Sequence, residues 1–309
     1  MKYKIMNNKK LNTTFCLIIL TILLTVATIN AQESNIGKVK LTKIAQVNDG
    51  NSYITFLGGI GNIEPLWFEG NIIPQFHLRT SKNSKLMGVL TPQIIIRMYQ
   101  AESFPVRTPS YMPKITLYWL FSEKGVSDNW SLFGRLAHHS NGQAGNFYLN
   151  NGEINYKSGN FSTNYLEFGL IKTHYIADKN LAQFFRTSFE AHLPKLSDPD
   201  LRGLYSFYRW HFMFSLFKLP AEVLFNKNNI KANFSLEGKL TWMFGEVKNW
   251  GNFSLERVSV SIRFFYHPKF LEDVGLFLQY YHGPDYYNIY FTHRLNILRF
   301  GIMTETLRF

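Results

Sequence analysis

The chain has 309 residues, of which 46% are hydrophobic, 17% aromatic and only 17% charged, and its formal net charge is +12. A basic chain raises the possibility of a nucleic-acid partner, but the lysines and arginines form no clustered patch, which argues against that class. Attraction to anionic lipid headgroups agrees better with this charge and with the aromatic content.

Residues 1–31 predict a signal peptide. Lysines precede an apolar run over residues 15–29, and the small residue Ala31 closes the segment. Removal of the segment takes away four lysines, so the mature chain would have about 278 residues (309 − 31) and a charge of about +8 (12 − 4). It would also contain no cysteine, because Cys16 is the only one, which excludes disulfides and thiol chemistry. Export argues further against a nucleic-acid partner.

A polar segment, 32–51, follows and is either a periplasmic tail or a piece that packs near the next domain. From residue 52 to residue 309, short segments of alternating polar and apolar residues repeat between turn residues, and none reaches the ~20 apolar residues of a helical span. This pattern predicts an all-β fold, a transmembrane antiparallel β-barrel of about twelve strands that ends on an aromatic residue, Phe309. The predicted strands are 52–59, 66–78, 85–99, 112–122, 130–140, 161–175, 181–193, 204–216, 230–244, 253–266, 274–281 and 289–307.

The predicted strand 130–140 ends with polar residues on a face that is otherwise apolar. Side chains alternate between the two faces of a strand, so His138 and Ser140 continue the face of Leu132 and Leu136. His139 lies on the opposite face, which makes a zinc site formed by the two adjacent histidines unfavourable. Polar groups at the end of a lipid-facing surface need a reason, and Ser with His suggests acyl transfer beside a membrane.

On this interpretation His138 is the base for a nucleophile, Ser140. The next strand is expected to pair with this one, which brings Asn164 close enough to accept a hydrogen bond from the imidazole and fix its tautomer. The backbone N–H groups of Asn141 and Gly142 are candidates for binding the oxyanion. The alternative is that His138 is a rim residue at the headgroup level and Asn164 a strand-end residue that caps a turn.

These residues resemble a known family, the bacterial outer-membrane phospholipase A family of twelve-stranded barrels. Its His-x-Ser-Asn-Gly motif is matched by the stretch His138-His139-Ser140-Asn141-Gly142, and Asn164 opens the following strand as its catalytic Asn does. Its Ser-x-Pro-x-Arg and Tyr-x-Pro segments are matched by Ser103-Phe104-Pro105-Val106-Arg107 and by Tyr111-Met112-Pro113. The stretch from Gln279 to Tyr290 resembles the family's last two strands.

The resemblance implies a calcium-dependent hydrolase that releases fatty acids from glycerophospholipids, with Ser140 as nucleophile, His138 as base and Asn164 as orienting residue. It also implies an outer-membrane homodimer whose calcium supports the oxyanion. The matching calcium ligands are Ser103, reaching from the partner subunit, and two residues that depart from the family pattern, Gln143 and Asn160. The loop between Ser140 and Asn164 is longer than the usual one.

A second hypothesis comes from a different class of function. The chain is then a non-catalytic barrel, a small porin or ligand-binding pore, and the Ser, His and Asn are coincidental. Twelve strands leave only a small lumen, which Arg135, His139 and Glu167 on the inward face are expected to help fill.

Overall fold

The computed structural model describes residues 40–124, 128–218, 234–247, 250–268, 270–271 and 274–304. The predicted signal peptide, 1–31, and the C-terminal Phe309 lie outside the described residues. Within these residues, one α-helix, α1, spans Leu41–Asp49. The same residues contain thirteen strands, which are β1 (Tyr53–Thr55), β2 (Leu66–Ile72), β3 (Phe76–Leu78), β4 (Leu86–Tyr99), β5 (Ser110–Lys124), β6 (Asp128–Ser140), β7 (Ser162–Ile176), β8 (Leu181–His192), β9 (Tyr208–Lys218), β10 (Phe234–Phe244), β11 (Val258–Tyr266), β12 (Val274–Pro284) and β13 (Arg294–Thr304).

The strands form one closed antiparallel sheet. Consecutive strands pair from β4 to β13, and the short strand β1 closes the barrel because it pairs with both β13 and β2. Strands β2 and β3 both pair with β4, so together they occupy one position, and the thirteen strands make a twelve-stranded barrel. The predicted fold class is therefore confirmed.

Where the structure describes them, the strands agree with the predicted segments to within three residues at either end, except at five places. The first predicted strand, 52–59, is shorter than expected, because β1 ends at Thr55. The predicted strand 66–78 is interrupted at residues 73–75, where Pro74 cannot donate a ladder hydrogen bond. Strand β9 begins four residues later than predicted, at Tyr208 rather than at residue 204. The first residues of two other predicted strands include the 3-10 helices Leu255–Arg257 and Asn288–Thr292.

The outer surface of the barrel is apolar. On β5, for example, Leu117 and Trp119 are more than half exposed, whereas Thr116 and Tyr118 between and beside them are fully buried. On β12 the same alternation exposes Leu276 and Leu278 and buries the intervening Phe277. An apolar exterior with a filled interior is the arrangement expected of a barrel whose outside faces lipid. Among the described residues, no helix combines the length and the hydrophobicity of a membrane-spanning segment.

Helix α1 lies inside the barrel. Its buried side chains recur at helical spacing on one face, and Leu41, Ile44 and Ala45 join a core cluster with inward-facing strand residues such as Tyr118 and Phe133. Gly50, at φ +81°, ends the helix with a backbone hydrogen bond to Gln46. Two interpretations were open for the segment 32–51, a periplasmic tail or a piece that packs near the next domain. Its described helix, Leu41–Asp49, packs within the barrel, so the interpretation as a periplasmic tail is wrong for these residues.

Buried ion pairs line the lumen beside the helix. Asp49 at the end of α1 accepts from Arg135 on β6, and Arg135 also donates to Glu167 on β7 at 2.9 Å. A second network joins Glu69, Arg97, Asp285 and Arg299 near the loop between β12 and β13. Such charges are tolerated inside a barrel because each has oppositely charged partners.

Candidate active site

The candidate site lies where β6 ends and β7 begins, beside the loop 141–161 that connects them. The two strands form a continuous ladder in which His138 is opposite Asn164, His139 opposite Thr163 and Ser140 opposite Ser162. Residues directly opposite in an antiparallel pair project to the same side of the sheet. His138, Ser140 and Asn164 therefore share one face, as predicted.

Exposure identifies that face as the exterior. Leu136, two residues before His138, is 50% exposed, and Phe168, on the same face of β7 as Asn164, is 64% exposed. On the opposite face Arg135, His139 and Glu167 are each less than a tenth exposed. The predicted inward position of these three residues is confirmed, and the polar candidates extend a lipid-facing surface.

His138 and Asn164 are in hydrogen-bond contact. The distance between His138 Nδ1 and Asn164 Oδ1 is 3.0 Å. Because an amide oxygen can only accept, this contact requires a proton on Nδ1, which leaves Nε2 with a lone pair. An imidazole in that tautomer can act as a general base.

The Ser140 hydroxyl makes no hydrogen bond to any described residue, not even to His138, whereas its backbone belongs to the sheet. Contacts between a nucleophile and its base are often long in a ligand-free enzyme and shorten in the substrate complex. The structure thus brings the three side chains to one face and joins two of them.

The loop after Ser140 changes one prediction. The Asn141 backbone N–H donates to the carbonyl of Phe161 at 3.1 Å, so it is unavailable to an oxyanion. The Asn141 side chain is buried and holds the base of the loop, since Nδ2 donates to Gly159 and Oδ1 accepts from the N–H of Phe161. Gly142 is different, because its φ of +66° turns the chain and its N–H has no backbone acceptor among the described residues.

The three predicted calcium ligands lie in two loops. Ser103 is exposed at a φ of +63° between β4 and β5, and Gln143 and Asn160 belong to the two arms of the loop 141–161, which pair at Gly145. The Gln143 side-chain NH2 donates to Thr108 Oγ1 at 2.7 Å, and that of Asn160 donates to Asp198 Oδ2 at 2.5 Å.

Both amide carbonyl oxygens are therefore left without a hydrogen bond to the described residues. Neutral oxygens of this kind fit calcium, but the predicted set contains no carboxylate. The part of the chain that the structure describes contains no group of three or more His, Cys, Asp or Glu side chains able to hold a metal. The donor chemistry thus fits calcium in type and lacks the negative charge of a strong site.

The Ser103–Pro113 stretch contacts the other distinctive segment of the chain. Arg107 donates to Glu64 at 2.6 Å and to the hydroxyl of Tyr290 at 3.0 Å. The carbonyl of Thr108 accepts from the Tyr287 hydroxyl and from the Asn288 side chain, each at 3.0 Å. The two segments thus connect the loops at this end of the barrel.

One contact of the site could not be found from the sequence. Asn164 Nδ2 donates to the backbone carbonyl of Leu196, in the connection between β8 and β9. The residues Ser197-Asp198-Pro199-Asp200 signal a turn, but the sequence contains no sign of which strand that turn contacts.

Comparisons with known proteins bear on the fold. No family model matches the chain, and no curated protein matches its sequence. Among solved structures it is similar to the outer membrane phospholipase A from Escherichia coli, with a TM-score of 0.57 and 12% identity over 87% of this chain and 100% of that one. It is also similar to the Salmonella typhi outer membrane phospholipase, a dimer with bound calcium, with a TM-score of 0.58 and 13% identity over 89% of this chain and 96% of that one.

Identities this low establish similarity of fold and not of chemistry. The closed barrel and these neighbours together point to a bacterial outer-membrane protein.

Proposed function

We propose that this protein is an outer-membrane phospholipase that hydrolyses acyl ester bonds of glycerophospholipids through Ser140, His138 and Asn164. The observation that carries the proposal is the 3.0 Å contact between His138 and Asn164 on the exterior of the barrel, on the same face as Ser140. A structural role for these residues does not require them to be together on a surface that otherwise bears Leu and Phe. The same motif order in a phospholipase family, and the fold of the solved neighbours, support this reaction class.

In the proposed reaction, His138 accepts one proton and then donates it in each half of the cycle. Ser140 Oγ attacks the ester carbonyl carbon while its proton passes to His138 Nε2, and Asn164 Oδ1 holds the Nδ1–H of the imidazolium that forms. The Gly142 N–H is the proposed donor to the oxyanion. Collapse of the intermediate expels the lysophospholipid alkoxide, which takes the proton from His138. Water then hydrolyses the acyl-serine by the same two steps and releases the fatty acid.

Calcium and a second copy of the chain belong to the proposal as well. The carbonyl oxygens of Gln143 and Asn160, with Ser103 of a second copy, would hold the ion. When bound, the ion would supply positive charge that stabilises the oxyanion. Support comes from the two uncommitted amide oxygens and from a dimeric, calcium-bound neighbour of the same fold.

The test of the nucleophile compares two serines that lie opposite each other. Ser140→Ala in the purified, detergent-solubilised protein should lower the release of fatty acid by at least about a thousandfold. Ser162→Ala is the matched control, because Ser162 is directly opposite Ser140 and equally half-buried on the same face. Equal activity of Ser140→Ala and wild type would eliminate the proposed nucleophile.

Calcium is tested by titration. Chelation should abolish hydrolysis without unfolding the barrel, and Gln143→Leu should raise the calcium concentration needed for half-maximal activity, because one oxygen donor is lost. Full activity in the chelator would remove calcium from the mechanism and leave Ser140 and His138 untouched.

The alternative function is a passive pore. Helix α1 counts against it, because the helix and its buried contacts occupy part of the lumen. Ion conductance through single barrels, without hydrolysis of any phospholipid, would favour the pore.

A further inference from the structure

The orientation of the Asn164 amide is the weak point of a Ser-His-Asn site. A carboxylate presents an oxygen at either end, whereas an asparagine presents an oxygen at one end and an NH2 at the other. If the NH2 faced His138, it would donate to Nδ1 and require the proton on Nε2. The imidazole could then no longer accept a proton from Ser140. Some group in the protein has to choose between the two orientations.

The backbone carbonyl of Leu196 is in position to make that choice. Asn164 Nδ2 donates to it, while Asn164 Oδ1 lies 3.0 Å from His138 Nδ1. A carbonyl oxygen can only accept, so it attracts the NH2 end of the amide and repels the oxygen end. The oxygen is thereby turned toward His138, and the proton is required on Nδ1.

The turn that contains Leu196 is held against strand β7 by two backbone hydrogen bonds. We define the β8–β9 turn as residues Leu193–Asp198. The Leu193 N–H donates to the backbone carbonyl of Asn164, and the Asp198 N–H donates to that of Ser162, each at 2.8 Å. Within the turn, the Leu196 N–H donates to the carbonyl of Leu193 at 2.9 Å, closing the 3-10 helix Pro194–Leu196.

One side chain fixes the turn from within. Ser197 Oγ donates to the carbonyl of Leu193 at 2.9 Å and lies 2.8 Å from Thr163 Oγ1, the inward-facing neighbour of Asn164. Thr163 Oγ1 is in turn 2.8 Å from His192 Nδ1, and His192 Nε2 is 2.8 Å from Glu190 Oε1. All four side chains are buried, so this chain of contacts ties the turn to the lumen of the barrel.

We propose that the β8–β9 turn is a positioning element for catalysis, in which the Leu196 carbonyl selects the orientation of Asn164 and, through it, the tautomer of His138. Ser197 is the positioning residue that keeps the carbonyl in place. The inference rests on the proposed function, since it assigns a role within that reaction.

The kinetic test uses Ser197 and a control from the same connection. Ser197→Ala should lower kcat between about tenfold and a hundredfold with little change in KM, because the catalytic groups are displaced and the lipid-binding surface is not. Ser197→Thr, which keeps the hydroxyl, should restore most of kcat. In Ser206→Ala an equally buried hydroxyl is lost, one that donates to the carbonyls of Tyr208 and Phe244, and kcat should be unchanged.

A second readout does not depend on activity. In protein labelled with 15N-histidine, nitrogen shifts at about pH 9, where an ordinary imidazole is neutral, distinguish Nδ1–H from Nε2–H. The His138 signal is assigned by its loss in His138→Gln. We expect Nδ1–H in wild type and in Ser206→Ala, and a mixture of tautomers in Ser197→Ala.

A wild-type His138 with its proton on Nε2 would overturn the proposal, as would an equal loss of kcat in Ser206→Ala. Absence of hydrolysis by the wild type would instead refute the proposed function, and the nitrogen shifts would still report whether the turn sets the tautomer.

Discussion

The two faces of the β6–β7 hairpin use polar residues in opposite ways. The inner face carries Arg135 and Glu167, buried and linked to a third charge on helix α1. The outer face carries His138 and Asn164, half-buried and joined by one hydrogen bond at the end of an apolar surface. Paired charges satisfy one another inside the barrel, whereas a hydrogen-bonded pair beside an uncommitted hydroxyl is suited to chemistry. The alternation of side chains along the two strands therefore places the ion pairs on the inner face of the hairpin and the residues of the proposed reaction on its outer face.

Adjacent histidines provide the strongest test of this comparison. His138→Gln should lower hydrolysis by about 10³- to 10⁴-fold, equivalent to about 4 to 5.5 kcal/mol of transition-state stabilisation, with an unchanged thermal unfolding midpoint. His139→Gln should retain most of the hydrolysis, because His139 faces inward and its ring packs against Phe161 at a centroid distance of 4.8 Å. A larger kinetic loss at His139 than at His138 would reverse the assignment of faces.

A buried carboxylate tests the inner face. Glu167→Gln removes the carboxylate that Arg186 contacts and leaves Arg135 with Asp49 as its carboxylate partner, and we expect a loss of about 3 to 5 kcal/mol in the free energy of unfolding. Hydrolysis measured well below the unfolding midpoint should be retained.

The matched control for that change is Glu153→Gln, which removes the same charge from an exposed loop position where the carboxylate accepts a hydrogen bond from the Asn151 side chain. Its effect should be within about 0.5 kcal/mol, measured by denaturant titration in the same detergent. Equal stability losses at the two glutamates would contradict the role of the inner-face network.

The fold was predictable because its signal is local and repeated. Alternation along β5, β6 and β7 predicted both the strands and the faces of their residues, since parity follows from backbone geometry alone. The strand predictions were less accurate where apolar residues lie in loops and pack against other loop residues. Ile289 and Phe291 were assigned to the last strand, but they lie in a 3-10 helix and pack in a buried cluster with Phe161 and Tyr205.

Only one property of the candidate site was predictable, namely which side chains share a face, because that follows from the alternation of side chains along a strand. The shared face of His138, Ser140 and Asn164 follows from the pairing of neighbouring strands. The Leu196 carbonyl could not be foreseen, because a backbone group in a distant turn has no side-chain signature. The loss of the Asn141 N–H as an oxyanion donor has the same origin, since its acceptor is the backbone of Phe161.

The smallest expected effect concerns the remaining oxyanion donor, the Gly142 N–H. A comparison of Gly142 with Gly152, a second glycine of the same loop, separates its effect on hydrolysis from the effect of backbone strain on stability. Gly142 and Gly152 have φ values of +66° and +84°, so an alanine at either position should cost about 1 kcal/mol of stability for the left-handed backbone. A Cβ at Gly152 meets nothing within 4 Å, whereas one at Gly142 lies 3.4 Å from the ring of Tyr111.

Gly142→Ala should also displace the backbone N–H beside Ser140, because strain at that φ is relieved by rotation of the peptide. We therefore expect about tenfold slower hydrolysis, less than the loss from deleting an oxyanion donor outright, while Gly152→Ala should lose stability alone. Unfolding midpoints and initial rates on the same preparations separate the two effects. Equal hydrolysis by the two variants would mean that the oxyanion is stabilised by a group other than the Gly142 N–H.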